Sequence, residues 1–164
     1  MHVTVWGRKP AYTGQARLVK RALDELGYRT SLRLASETRF DAAFQSAPRR
    51  ERQVGTIVWV ADFPTASDFL GFVFSCPINR AFDLNLSEFC TARTRRLMMQ
   101  ALRLQATDPT GADNVWTTVD REIVDQAAAV PLYNPKAIDV VSRRVGNYQR
   151  NPQWGVLLDQ LWLR

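Results

Sequence analysis

A chain of 164 residues, 46% of them hydrophobic and 23% charged, lies in the range of one globular domain with one core and outside that of a disordered segment. One histidine, His2, and two cysteines, Cys76 and Cys90, supply neither a Cys/His zinc cluster nor the positioned imidazole of a histidine triad. The formal net charge of +6 raises phosphate binding, but the arginines fall in small scattered groups (Arg49, Arg50 and Arg52; Arg93, Arg95 and Arg96; Arg143 and Arg144) without a nucleic-acid motif. A solvated basic surface with no nucleic-acid partner is therefore the expectation.

Residues 3–6 are apolar and rich in β-formers, and the turn signal at 7–10 closes them as a strand. A helix over 15–26 follows: Leu18, Val19, Ala22, Leu23 and Leu26 share one face, Thr13 or Gly14 can cap its start, and Gly27 stands where a left-handed end belongs. Residues 28–34 alternate Tyr28, Thr30, Leu32 and Leu34 against Arg29, Ser31 and Arg33, a second strand. These make a β-α-β unit with parallel strands and a right-handed crossover. A short helix over 40–47 ends at Pro48. Residues 55–60, with Ile57, Val58, Trp59 and Val60, read as a strand buried on both faces, and Ala61, Asp62, Phe63 and Pro64 form its exit.

Beyond that exit, helices are expected over 66–74, with Asp68 in the first turn, then over 93–105 and 112–128, the last two separated by a breaker cluster of Asp108, Pro109 and Gly111. Strands are expected over 130–133 and 137–142. The alternation predicts an α/β fold, a mainly parallel sheet flanked by helices. Ligands of such sheets gather at the carboxyl ends of strands, which is where Asp62 falls. No apolar run reaches the roughly 18 residues of a membrane-spanning helix. Residues 1–10 lack the pattern of an export signal, so an exported parent would carry its signal elsewhere.

The order Trp59, Val60, Ala61, Asp62, Phe63, Pro64, then Phe69 and Leu70, resembles the Trp-x-Ala-Asp-Tyr-Pro-Asp-Pro signature, with Phe-Leu beyond it, of family 5 extracellular solute-binding proteins. Collinear matches follow in Asn85 with Phe89, in Ala101 with Asp108, and in residues 116–128 followed by Val130, Pro131, Leu132 and Tyr133. The opening β-α-β unit also matches, so the resemblance covers nearly the whole chain. An actinobacterial version is the most similar, particularly from Asn151, Pro152, Gln153, Trp154 and Gly155 to the end.

The resemblance implies a periplasmic-binding-protein type 2 lobe, namely the C-terminal, second lobe of a two-lobed clamp over residues 1–164. It further implies a peptide or similar solute as ligand, the first lobe of the same protein and the permease subunits of an ABC transporter as partners, and an extracytoplasmic location. Neither catalysis nor a cofactor is expected. The same lobe would also serve as a ligand-sensing or interaction domain of a larger regulatory protein. Paired carboxylates such as Asp24 with Glu25 and Asp120 with Glu122 read as solvated helix faces rather than as acid/base pairs.

Residue by residue, Asp62 matches the carboxylate that in peptide-binding members pairs with the ligand's α-ammonium; as a bare sequence feature it is equally a turn or capping residue. Trp59 and Phe63 either line the cleft or pack in the core, and Asn85 supplies either a polar contact or a turn. Three departures stand out: Phe63 replaces the usual Tyr, Thr65 and Ala66 stand where Asp-Pro is common, and Arg95 occupies a position usually acidic. Because the family is exported, Cys76 and Cys90 are expected to form a disulfide across a loop of about 15 residues, the alternative being two buried thiols.

Overall fold

The structure, a computed structural model, describes residues 1–76 and 85–164. The chain divides into two compact units, Met1–Trp59 and Val60–Arg164, so two smaller cores replace the one that length suggested.

In the first unit β1 (His2–Lys9), α1 (Thr13–Glu25) and β2 (Arg29–Ser36) form the expected β-α-β unit, with β1 and β2 parallel from the His2↔Arg29 pair to the Lys9↔Ser36 pair. A third strand, β3 (Val54–Gly55), lies parallel on the other side of β1, giving the order β2-β1-β3. β1 is thus central, and residues 3–7 are buried without a break. Its two faces have different covers. Trp6 meets Phe44 of α2 (Phe40–Ser46) edge to face at 5.7 Å, and the Arg8 guanidinium lies 4.4 Å above the Phe40 ring. On the opposite face Gly7 lies against α1, where any Cβ would collide with that of Ala16; the helix can approach the strand only because residue 7 has no side chain.

α1 ends as the sequence foretells. Gly27 has a φ of +88°, its N–H donates to Asp24 O at 3.0 Å, and the Tyr28 N–H donates to Leu23 O at 3.1 Å. This paired arrangement satisfies two carbonyls of the last turn. Tyr28 is spent in the cap, which is why β2 begins at Arg29. At the other end Tyr12, not Thr13 or Gly14, precedes the helix, with no side-chain cap.

The strand expected over 55–60 requires correction. Pairing with β1 stops at Gly55, one further bond joins Thr56 N–H to Trp6 O at 3.0 Å, and Ile57, Val58 and Val60 are exposed. An apolar run is buried on both faces only where strands flank both its edges and other elements cover both its faces. In this sheet that position belongs to β1.

The second unit opens with a helix over 66–73, close to the expected 66–74, whose middle, Ser67–Gly71, is a π-helical turn. α3 (Ala92–Leu104) is capped by Thr91, whose Oγ1 accepts from the Thr94 N–H at 3.0 Å. α4 (Pro109–Asp125) begins and ends three residues earlier than the pattern suggested. Asp108, Pro109 and Gly111 start the helix rather than break the chain: Asp108 Oδ1 accepts from the Gly111 N–H at 2.9 Å, and Pro109 sits in the first turn, where no N–H is needed. Buried stripes at i, i+4 and i+7 face one another, Thr94, Met98 and Ala101 on α3 and Ala112, Trp116, Val119 and Ile123 on α4.

Residues 130–133 and 137–142, expected as strands, pair with no described strand, and Val130, Ile138 and Val140 are exposed. β-branched residues favour extended backbone, but a ladder needs a neighbour. The second stretch is instead held by Asp139, whose Oδ2 accepts from Tyr148 Oη at 2.6 Å and from Arg150 Nε at 2.7 Å. These bonds, the Tyr148 one foremost, keep the Asp139 carboxyl below its ordinary range. Two small antiparallel pairs complete the unit: β4 (Val145–Gly146) with β7 (Trp162–Leu163), and β5 (Arg150–Asn151) with β6 (Gly155–Val156). Among the described residues no helix is long and apolar enough to cross a membrane.

Candidate functional site

Asp62 follows the apolar run 57–60 by two residues and is exposed. Its backbone is held from within its own unit: the Asp62 N–H donates to Asp68 Oδ2 at 2.8 Å, and Asp68, in the π-helical turn, is only 2% exposed. A bond from the sixth residue onward fixes the loop while leaving the Asp62 carboxylate in solvent. Thr65 tightens the same loop: its N–H donates to Phe63 O at 2.8 Å, its carbonyl accepts from the Asp68 N–H at 3.2 Å, and its hydroxyl bonds that of Ser67 at 2.6 Å.

Beside the loop runs a groove of about 590 Å³ whose lining includes Phe63, Pro64, Phe69, Gln105, Asp113 and Trp116. Its lining is mainly apolar, and Phe63 and Phe69 stay 45% and 42% exposed, enough surface to gain from covering an apolar side chain. Gln105 Oε1 and Trp116 Nε1 are buried without a hydrogen-bond partner. The arrangement suits a molecule with a cationic end for Asp62 and an apolar body for the groove.

The other expected site residues are placed differently. Trp59 is half-buried and closes the first unit. Asn85 is 2% exposed, and its side chain is engaged within its own loop: Nδ2 donates to Ser75 O at 3.1 Å and to Phe89 O at 2.8 Å, while Oδ1 accepts from Ser87 Oγ at 2.7 Å. Both amide donors are thereby spent. Cys76 and Cys90 are joined in a disulfide with a Cα–Cα separation of 5.7 Å; residues 77–84 of the loop it closes lie outside the described residues. No group of three or more His, Cys, Asp or Glu among the described residues could hold a metal ion.

Asp68 is the site residue whose role the sequence did not disclose; its position in a first turn was legible, its bond to Asp62 was not. Asp68→Leu is expected to leave the Asp62 N–H without its acceptor and to cost about 1–3 kcal/mol. Asp68→Asn keeps an acceptor oxygen and should recover most of that loss. Urea unfolding of the three proteins provides the check, and equal stability of Asp68→Leu and the parent would refute the assignment.

A parallel sheet between helices, followed by a mainly helical unit, is a fold of periplasmic-binding-protein type. Solved structures of that kind match nearly the whole chain. A structure described as clavulanic acid biosynthesis oligopeptide binding protein 2 is similar with a TM-score of 0.83 and 20% identity, over 99% of this chain and 30% of its own. The ABC transporter-associated periplasmic binding protein DppA from Helicobacter pylori, solved with the peptide STSA, gives 0.73 and 16% identity over 99% of this chain and 31% of its own. The oligopeptide-binding protein AppA from Bacillus subtilis, solved with a nonapeptide, gives 0.67 and 13% identity over 99% and 32%. The chain therefore spans about a third of the length of these structures. No family model and no curated protein sequence matches it.

Proposed function

We propose that this chain is the peptide-holding second lobe of a solute-binding protein that delivers peptides to an ABC transporter outside the cytoplasm. Asp62 receives the peptide's α-ammonium, and the groove beside it accepts apolar parts of the ligand. The observation that carries the reading is the exposed Asp62 carboxylate, on a loop fixed by the buried Asp68, next to a mainly apolar groove. Likeness in fold to peptide-binding proteins supports it. So does the chemistry, since a carboxylate meeting an ammonium forms a charge-assisted bond that recognises a peptide whatever its side chains. The first lobe and the permease subunits are the partners that this reading requires.

A complete clamp that holds peptide near 1 μM does so with roughly 8 kcal/mol. If each lobe contributes comparably, the single lobe keeps about half and binds near 1 mM. Its Asp62 also faces open water, where attraction to an ammonium is several-fold weaker than in a closed cleft. Calorimetric titration of the chain with a mixed peptide library, its N-acetylated counterpart and the Asp62→Ala variant tests this. Weak binding is expected that disappears on acetylation and on Asp62→Ala. Micromolar binding by the monomer that Asp62→Ala leaves unchanged would defeat the reading.

A further inference from the structure

We propose that the outer face of α3 rests on an anionic phospholipid surface. α3 carries four arginines, Arg93, Arg95, Arg96 and Arg103, and no acidic residue. Arg93 is paired with Glu122 at 2.8 Å, whereas Arg95, Arg96 and Arg103 have no acidic partner among the described residues and are exposed. Arg93, Arg95 and Arg96 crowd the start of the helix, where the backbone dipole already disfavours positive charge. An arrangement that works against the helix, on a chain already at +6, gains most from an anionic surface outside it.

The apolar residues among these arginines select the kind of surface. Arg95, Met99, Leu102 and Arg103 follow at i, i+4, i+7 and i+8 and so share one side of the helix, with Arg96 beside them. The buried residues Thr94, Met98 and Ala101 form the inward stripe. Met99 is 50% exposed and Leu102 is 46% exposed. Arg96 and Arg103 stand about 10 Å apart along the axis, so the face presents separated cations with apolar side chains between them. A phospholipid surface meets both demands, with phosphates at the level of the guanidinium groups and an apolar boundary just beneath for Met99 and Leu102. Nucleic acid offers the phosphates but nothing for the two apolar side chains. Arg93, Arg95, Arg96 and Arg103 line one hollow, which a small anion fills only in part and without covering Leu102.

Co-sedimentation of the chain with phosphatidylcholine vesicles, with and without admixed phosphatidylglycerol, tests the proposal. Binding is expected only to the mixed vesicles and should fall as salt is raised. Arg96→Gln with Arg103→Gln should weaken it by about 25-fold, at roughly five-fold for each charge removed near the surface. Lys at both positions should restore it. Met99→Ser with Leu102→Ser should also weaken vesicle binding while leaving retention on a short DNA duplex unchanged. All four positions are exposed, and circular dichroism will verify that each variant stays folded. The proposal is overturned by no binding to mixed vesicles, by equal binding to phosphatidylcholine alone, by indifference to the Gln pair, or by tighter retention on DNA than on vesicles.

Discussion

Trp116→Ala is expected to destabilise the second unit by about 3–5 kcal/mol. Trp116 is 2% exposed on the stripe that packs α4 against α3, in a cluster with Met98, Ala101, Ala112, Val119 and Ile123. The far edge of its ring closes on Gly71, where a Cβ would stand 3.3 Å from Cη2, so the π-helical turn is anchored by the same side chain. Truncation would remove the largest ring of this core and leave a cavity that two packed helices can collapse only in part. Trp116→Phe should cost much less, because the indole Nε1 makes no hydrogen bond and its loss strands no partner. Urea unfolding followed by the helical signal decides the matter; equal losses for Phe and Ala would mean that the indole N–H is doing something the geometry does not reveal.

Replacing Cys76 and Cys90 by Ser is expected to cost about 3 kcal/mol, the chain-entropy value for a loop of this length, the two residues being 14 apart in sequence. Asn85 reinforces the same closure without a covalent bond. Its Nδ2 bridges Ser75 O and Phe89 O, the carbonyls just before each cysteine. Losing both devices should therefore not be additive, and Asn85→Ala with and without the cysteines forms the cycle that measures the coupling. Unfolding midpoints with and without reductant supply the energies, and intact mass after alkylation counts thiols. Two alkylatable thiols in oxidised, denatured protein would contradict the bond.

The β-α-β unit was legible because its signals are local: alternation in β2, a helical face in α1 and a glycine at the left-handed position are written within a few residues of one another. α4 was legible in kind but shifted in position. Proline and glycine suggest punctuation, whereas Asp108 turns them into a start. The residues at 57–60, 130–133 and 137–142 show the limit of composition. β-branched runs announce extended backbone, but pairing depends on which strands the rest of the fold brings alongside. Among the candidate site residues, the sequence singles out Asp62 as the exit of a strand over 55–60, whereas pairing ends at Gly55, seven residues earlier. It could not disclose that Asp68 holds the loop or that the amide of Asn85 is engaged within its own loop, since both follow from where the chain turns back on itself.

The unpaired stretch at 137–142 has a practical consequence for handling the protein. Ile138 and Val140 are 86% and 98% exposed on chain that pairs with no described strand, which makes this stretch a ready template for strand addition between molecules. The net charge of +6 keeps copies apart through mutual repulsion, a protection that added salt screens. Concentrated stocks should therefore stay clear at low ionic strength and cloud as salt rises, and a single lysine at position 140 should delay the clouding.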